Sequence, residues 1–184
     1  MTTRDALLKA AREEFAAYGV AGARVDRIAQ NAGVNKERIY GYFGSKDKLF
    51  DAVVSQAMEE LTETVSMPGD DPVDYAGKVY DFHQDHPDVT RLLMWEALHY
   101  RDADLPGQAD RRARCVRKSE SLAAGLGREP SQEVAMTMLT LVGMALFPRM
   151  MPQLVRLIAG DEVGREQMRE HLVAFAEAAL VRKD

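Results

Sequence analysis

The sequence holds a single cysteine, Cys115, among 184 residues. One cysteine excludes an intrachain disulfide and fits a reducing compartment, so a cytoplasmic protein is expected. Strand signals are missing as well. No segment alternates β-branched and polar residues, and no sheet is expected. The longest apolar run, residues 134–147, is interrupted by Thr137, Thr140 and Gly143. It is too short to span a bilayer and suits a buried helix. Residues 1–9 are polar with no apolar stretch behind them, so no secretory leader is expected. There is no glycine-rich phosphate loop, no G-x-S-x-G elbow and no pair of carboxylates with a credible base. Neither an enzyme nor a cofactor is expected on those grounds.

What is present is an ordinary globular composition, 46% hydrophobic and 29% charged, which excludes a disordered chain. The net charge of −5 is unevenly spread. Residues 1–50 carry nine Lys/Arg against six Asp/Glu, a balance of +3, and residues 51–184 carry fifteen against twenty-three, a balance of −8. A basic end on an acidic body points to a polyanion met by that end alone, provided its cations share a face.

Helical periods fill the intervals between prolines and glycines. Thr2 or Thr3 can cap a first helix, with Leu8, Ala11, Phe15 and Tyr18 as its apolar stripe and Gly19 and Gly22 at its end. A short helix is expected over 25–31, broken by Gly33, then another over 36–43 capped by Asn35 and stopped by Gly44. Ser45 can cap a long fourth helix reaching Val65, with Leu49, Val53, Ala57 and Leu61 inward. After a turn-rich connector at 67–72, helices are expected near 73–86, 88–101, 107–126, 131–147 and 164–182, with a short piece over 152–159. The fold class is therefore all-α. The expected division is a three-helix domain over 1–46 and a larger helical domain over 47–184.

The second and third helices are short and closely joined, which is the helix-turn-helix layout. Ile39 and Phe43 are spaced to face inward with Val25, Ile28, Val34 and Phe15. Lys36, Glu37, Arg38, Tyr40, Gly41 and Tyr42 occupy the other sides. Lysine and arginine neutralise phosphates, and phenol hydroxyls donate to phosphate oxygens. A glycine inside a helix costs about 1 kcal/mol relative to alanine. Gly41 either lets the backbone approach a duplex closely or simply marks a frayed helix end near Gly44.

The stretch VDRIAQNAGVNKERIYGYFGSKDKLFDAV resembles the helix-turn-helix signature of the TetR/AcrR family of bacterial transcriptional regulators, without a gap. The resemblance covers about the first quarter of the chain. It implies a DNA-binding regulator, by family habit a repressor, that reads a palindromic operator as a homodimer and is released by a small molecule. Tyr40 and Lys46 resemble the family's phosphate-binding tyrosine and lysine. Tyr42 stands where a histidine or tyrosine is usual, and Asn35 replaces the more common serine. Arg24 replaces the usual capping threonine of the second helix, so that cap is lost and a phosphate contact becomes available. Glu37 and Arg38 replace small or hydroxyl residues; Arg38 could read a guanine edge, and Glu37 could accept from cytosine or pair with Lys36 or Arg38.

Dimerisation is expected of the later helices. Met168, Leu172, Phe175, Ala176, Ala179 and Leu180 make a wide stripe, and residues 134–147, including Val134 and Leu141, are apolar nearly all round. The alternative is that both segments serve only the core of one chain, and dimerisation is favoured because reading a palindrome requires it. The resemblance also implies an effector pocket among the middle helices. Tyr80, Phe82, His83, Met94, Trp95, Leu98, Met136, Met138, Met144 and Phe147 form the candidate pool. A rival reading is a helical metal protein or enzyme using His83, Glu96 and His99, although only one Glu-x-x-His spacing is present. Finally, RRARCVRK (111–118) surrounds Cys115 with five cations, which suits either a redox-sensitive thiol or a solvated basic face.

Overall fold

A computed structural model describes residues 2–180, which form ten helices and, among the described residues, no strand. They are α1 (Thr3–Gly22), α2 (Val25–Asn31), α3 (Glu37–Phe43), α4 (Lys46–Thr64), α5 (Tyr75–Asp85), α6 (Pro87–Tyr100), α7 (Gln108–Gly125), α8 (Gln132–Met150), α9 (Pro152–Ala159) and α10 (Arg165–Leu180). The all-α expectation holds. The end of the last expected helix, residues 181 and 182, lies outside the described residues. The helices fall into two compact units, one built from the described part of Met1–Leu61 with His86–Pro106, the other from Thr62–Asp85 with the described part of Gly107–Asp184.

In the first unit, α1 starts at a capping box. Thr2 Oγ1 accepts the Asp5 N–H at 3.2 Å, and the Asp5 carboxylate accepts the Thr2 N–H at 2.9 Å. Ser45 caps α4 in the expected way, accepting the Lys48 N–H at 3.1 Å. Asn35 does not cap α3. Lys36 already has helical dihedrals and takes the cap position with no side-chain bond, so Asn35 lies one residue outside and offers only its carbonyl, to the Arg38 N–H at 3.2 Å. The core is formed by α1, α2, α3, α4 and α6. Leu7, Phe15, Ile28, Ile39, Leu49, Phe50 and Leu92 are all fully buried, each contributing roughly 1.5–3 kcal/mol. Phe15 meets Phe50 edge-on at 5.1 Å between ring centres. Tyr18, expected on the buried stripe, is half-exposed. Its ring is covered by the Arg27 guanidinium 4.5 Å away instead of by apolar neighbours.

Gly19 interrupts α1 with φ 65° and ψ −178°. An added Cβ there would lie 2.6 Å from the Trp95 ring of α6. The break therefore serves two purposes: it turns the chain towards α2, and it seats the single tryptophan. Near the other end of the α1–α6 contact, Arg12 bonds Asp88 of α6 and, at 2.7 Å, Glu60 of α4. Glu60 also meets His86 Nδ1 at 3.1 Å.

In the second unit, Ala76, Leu122, Ala123, Val134, Leu141, Ala176 and Leu180 form one buried cluster joining α5, α7, α8 and α10. Helix α10 is tied to α5 by Arg169, which bonds Asp74 at 2.7 Å and Asp81 at 2.5 Å, and by Arg165, which bonds Asp85 at 2.5 Å. Pro148, expected to end α8, does not. A proline in the last turn removes only one hydrogen bond, and the Met151 N–H still closes on the Phe147 carbonyl at 2.9 Å. The helix thus reaches 19 residues, and by length and apolar composition it is able to cross a membrane. One of its faces, however, is committed to the cluster with α5, α7 and α10.

Glycine substitution tests the α1–α6 seat. Gly33 also has positive φ, 69°, but faces open space. Gly33→Ala should therefore cost about 1 kcal/mol from backbone strain alone. Gly19→Ala should cost about 3 kcal/mol, because φ 65° with ψ −178° is a conformation open essentially to glycine alone and the Trp95 ring must also move. Denaturant unfolding monitored by circular dichroism measures both, and equal losses would contradict the packing described.

Candidate nucleic-acid interface

Helix α2 ends in a tight turn. The Ala32 N–H bonds the Ile28 carbonyl at 2.9 Å and the Val34 N–H bonds the Ala29 carbonyl at 3.0 Å, with Gly33 supplying the positive φ. This turn delivers α3 with Ile39 fully buried and Phe43 nearly so. Burying those two residues turns Lys36, Glu37, Arg38, Tyr40, Gly41 and Tyr42 out to solvent. Tyr40 and Tyr42 are 50% and 47% exposed, large values for aromatic residues in a chain with a well-filled core. An added Cβ on Gly41 would meet nothing within 4 Å. No intrachain packing demands a glycine there, and the backbone between the two phenols is open to an outside surface.

The cations around this face are arranged differently from one another. Arg38 and Arg24 have exposed side chains. Lys36 lies 3.5 Å from Asp26 across the turn, so Asp26 is an acidic partner of Lys36 that the sequence reading had sought in Glu37. Lys46 donates to the Ala23 carbonyl at 3.3 Å, fastening the start of α4 to the end of α1. Arg4, which sequence reasoning passed over, places its guanidinium 5.7 Å from the centre of the Phe43 ring.

Two further residues, Glu14 and Arg27, were missed. Arg24 occupies the cap position of α2 without a side-chain bond, as its identity implied. The Arg24 N–H is taken instead by Glu14 of α1 at 2.8 Å. The same carboxylate accepts from Arg27 Nη2 at 2.6 Å and Nε at 3.0 Å. Burial pushes the Glu14 carboxyl up, but the bonds from Arg27 and from the Arg24 N–H outweigh it and hold the group below its ordinary range. The signal was available: Glu14 sits three residues after Ala11 and seven after Leu7, on the inward stripe of α1. A charged residue at an inward position needs a partner.

The other expected sites disperse. The candidate pocket residues do not line one cavity. Tyr80, Phe82 and His83 are buried on α5, Trp95 packs on Gly19, and Leu98 is 63% exposed on α6; Met94 is half-buried there. Met144 and Phe147 line a groove of about 550 Å³ with Leu154, Ile158 and Met168. Met138 lines another of about 560 Å³ beside Cys115 and Leu139. Met136 is exposed. Among the expected interface residues, Val134, Leu141, Leu172 and Ala176 are buried in the core of the single chain, whereas Phe175 and Ala179 are exposed and Met168 is half-buried. The inward face of α8 was mistaken for the outward one, because a helix apolar all round has no polar face to mark its orientation. The exposed stripe is Met136, Leu139, Gly143, Phe147 and Met150.

The metal reading is not supported. Among the described residues, no group of three or more His, Cys, Asp and Glu side chains is placed to hold a metal ion. His83 is buried against Phe82, with ring centres 5.3 Å apart, while exposed His99 meets the Tyr100 ring edge-on at 4.8 Å. Cys115 is exposed, and partial burial pushes the nearby Lys118 ammonium below its ordinary range.

Comparison with known proteins gives one answer. The family model described as bacterial regulatory proteins, tetR family, matches residues 7–53, and that of a tetracyclin repressor-like C-terminal domain matches 71–178. An HTH-type transcriptional repressor of Streptomyces coelicolor is 35% identical over 98% of this chain and 96% of its own length. The NicS repressor of Pseudomonas putida is 35% identical over 53% of this chain and 49% of its own. A solved structure from Streptomyces coelicolor, described as a transcriptional regulator, covers 99% of this chain and 100% of its own at 31% identity, with a TM-score of 0.83.

Acid titration tests the Glu14 carboxylate. Its folded pKa is lowered, so its stabilisation is fully present above the ordinary glutamate value and is lost as pH falls through the lowered one. Glu14→Gln should cost about 2 kcal/mol at neutral pH. That difference should shrink below about pH 4. Denaturant unfolding of both proteins across this range measures the gap; a constant gap would contradict the ionised pair.

Proposed function

The chain belongs to the tetR family of bacterial regulatory proteins and is a DNA-binding transcriptional regulator, and from that premise we propose that it is a cytoplasmic repressor acting as a homodimer on a palindromic operator and released by a small molecule. The observation that carries the reading is the outward face of α3, where two exposed tyrosines flank a glycine with no neighbour of its own. Tyr40 donates to phosphate and fixes the depth of α3 in the major groove, while Gly41 lets its backbone come close. Lys46 exchanges the Ala23 carbonyl for a phosphate oxygen at the start of α4, where the free N–H groups of the helix also favour an anion. Lys36, Arg24 and Tyr42 add phosphate contacts. Asn35 and Glu37 border the groove, and Arg38 reads a base edge, best satisfied by guanine O6 and N7. The repressor role is supported by the Streptomyces coelicolor relative, which is named as one.

A single head reads too few base pairs for a specific site, and two-fold pairing doubles the contact. The exposed stripe of α8, with Leu139 at 71% and Met136 at 57%, and Phe175 of α10 at 57%, is the surface that supports pairing. Soluble monomers rarely expose so continuous an apolar patch. The effector enters the second unit, whose two apolar grooves suit a largely apolar molecule. It acts by binding more tightly to the state that holds operator poorly.

Three substitutions separate the roles assigned to the reading face. Tyr40→Phe and Lys46→Ala should weaken binding to every duplex alike, whereas Arg38→Ala should erase about 1–3 kcal/mol of sequence preference. Fluorescence anisotropy with selected and scrambled duplexes measures both quantities. An unchanged preference in Arg38→Ala would remove it from base reading. For pairing, Leu139→Asp and Phe175→Asp should each give monomers by light scattering, with operator affinity lowered at least about tenfold. Variants that remain dimers would place the interface elsewhere.

A further inference from the structure

We infer that Glu14, on the helix that precedes the reading pair, is a positioning residue for sequence-specific DNA binding: it ties α2 to α1 and so sets where α3 lies in the groove. Its isolation from solvent comes first. Glu14 is 5% exposed, a burial rarely given to a carboxylate, and the bonds it accepts from the Arg24 N–H and the Arg27 guanidinium run to one short stretch of chain. That stretch is the start of α2.

The start of α2 needs outside help. A helix leaves its first N–H groups without intrahelical partners. Here the cap residue is Arg24, which provides no side-chain bond. In a capping box, an acid three residues after the cap reaches back to the cap N–H. That place is held by Arg27, whose charge has the wrong sign for a helix N-terminus. Glu14 corrects both deficits from a different helix. It accepts the Arg24 N–H at 2.8 Å and neutralises Arg27 through Nη2 at 2.6 Å. Arg27 is further fixed by its stacking over Tyr18 at 4.5 Å. The tie therefore has three attachments across the α1–α2 junction, two on α2 and one back on α1.

The consequence for DNA concerns discrimination more than attraction. Phosphate contacts tolerate small displacements, because the field of the duplex is broad. Base contacts do not, because bidentate hydrogen bonds need both register and angle. A seven-residue α2 joined to α3 by one tight turn passes any rotation of its start on to Arg38. Loosening Glu14 should thus reduce operator affinity and leave attraction to arbitrary duplex nearly intact. This rests on the operator-binding role proposed above.

The test uses the full chain, a duplex selected by the wild type from a random library, and a scrambled duplex of equal length. Binding is measured by anisotropy at a temperature well below unfolding. Glu14→Gln should weaken the selected duplex about tenfold and the scrambled one by less than about twofold. Glu14→Leu combined with Arg27→Met removes both charges, keeps the volume apolar and so protects folding; it should lose discrimination to a similar degree. Leu122→Ala, a core truncation in the other unit, is the control for general destabilisation and should keep the wild-type ratio. Wild-type discrimination in both Glu14 variants would overturn the inference, and so would an equal loss in Leu122→Ala. Absence of any preference in the wild type would defeat the operator reading itself.

Discussion

A seven-residue helix does not persist in water by its own hydrogen bonds, and α3 exists because Ile39 and Phe43 are buried beneath it. That burial is the constraint from which the reading face follows. Two inward positions four residues apart fix the rotation of the helix. Once it is fixed, Arg38, Tyr40, Gly41 and Tyr42 have no direction left except outward. The floor they stand on is Phe15 against Phe50, with Ile28 and Leu49 beside them. A tight core under a short helix lets the helix carry unfavourable residues, including a glycine in its middle.

Charge is managed by the same economy of contacts. The acidic excess of the chain lies outside its first fifty residues. Much of it is paired locally, as where Arg165 and Arg169 bridge Asp74, Asp81 and Asp85 between α5 and α10. In the first unit the pattern differs. Glu14 consumes Arg27, whereas the Arg24 and Arg38 side chains, and Lys36 beside an exposed Asp26, remain open to solvent. A net balance of only +3 is therefore a poor guide to the field at the reading face. What matters is which cations are spent internally and which are left for an outside anion.

Much of this was legible in the residues alone. Helix α2 was placed at its observed bounds, because Gly33 punctuates one end and the Ile28–Ala29 pair marks its buried side. Thr2 and Ser45 capped as their identities required. The failures have local causes. Asn35 was displaced from the cap by a lysine already in helical conformation. Pro148 was tolerated because it fell in a last turn. The face of α8 was misjudged because a helix apolar all round carries no phase information, so Val134 and Leu141 went to the core and Leu139 to solvent. The candidate pocket scattered for a similar reason, since large apolar residues serve a core and a cavity equally well. Glu14 was overlooked although its inward position announced a partner.

The central claim is that α3 and the start of α4 neutralise duplex phosphates in two paired copies. It is tested most directly by measuring the affinity of the wild-type chain for a selected duplex as salt is raised. With about three cation–phosphate contacts from each copy, the logarithm of the association constant should fall linearly against the logarithm of salt concentration, with a slope of about −5. The saturated complex should hold two chains per duplex. A slope near zero, or one chain per duplex at saturation, would contradict the account.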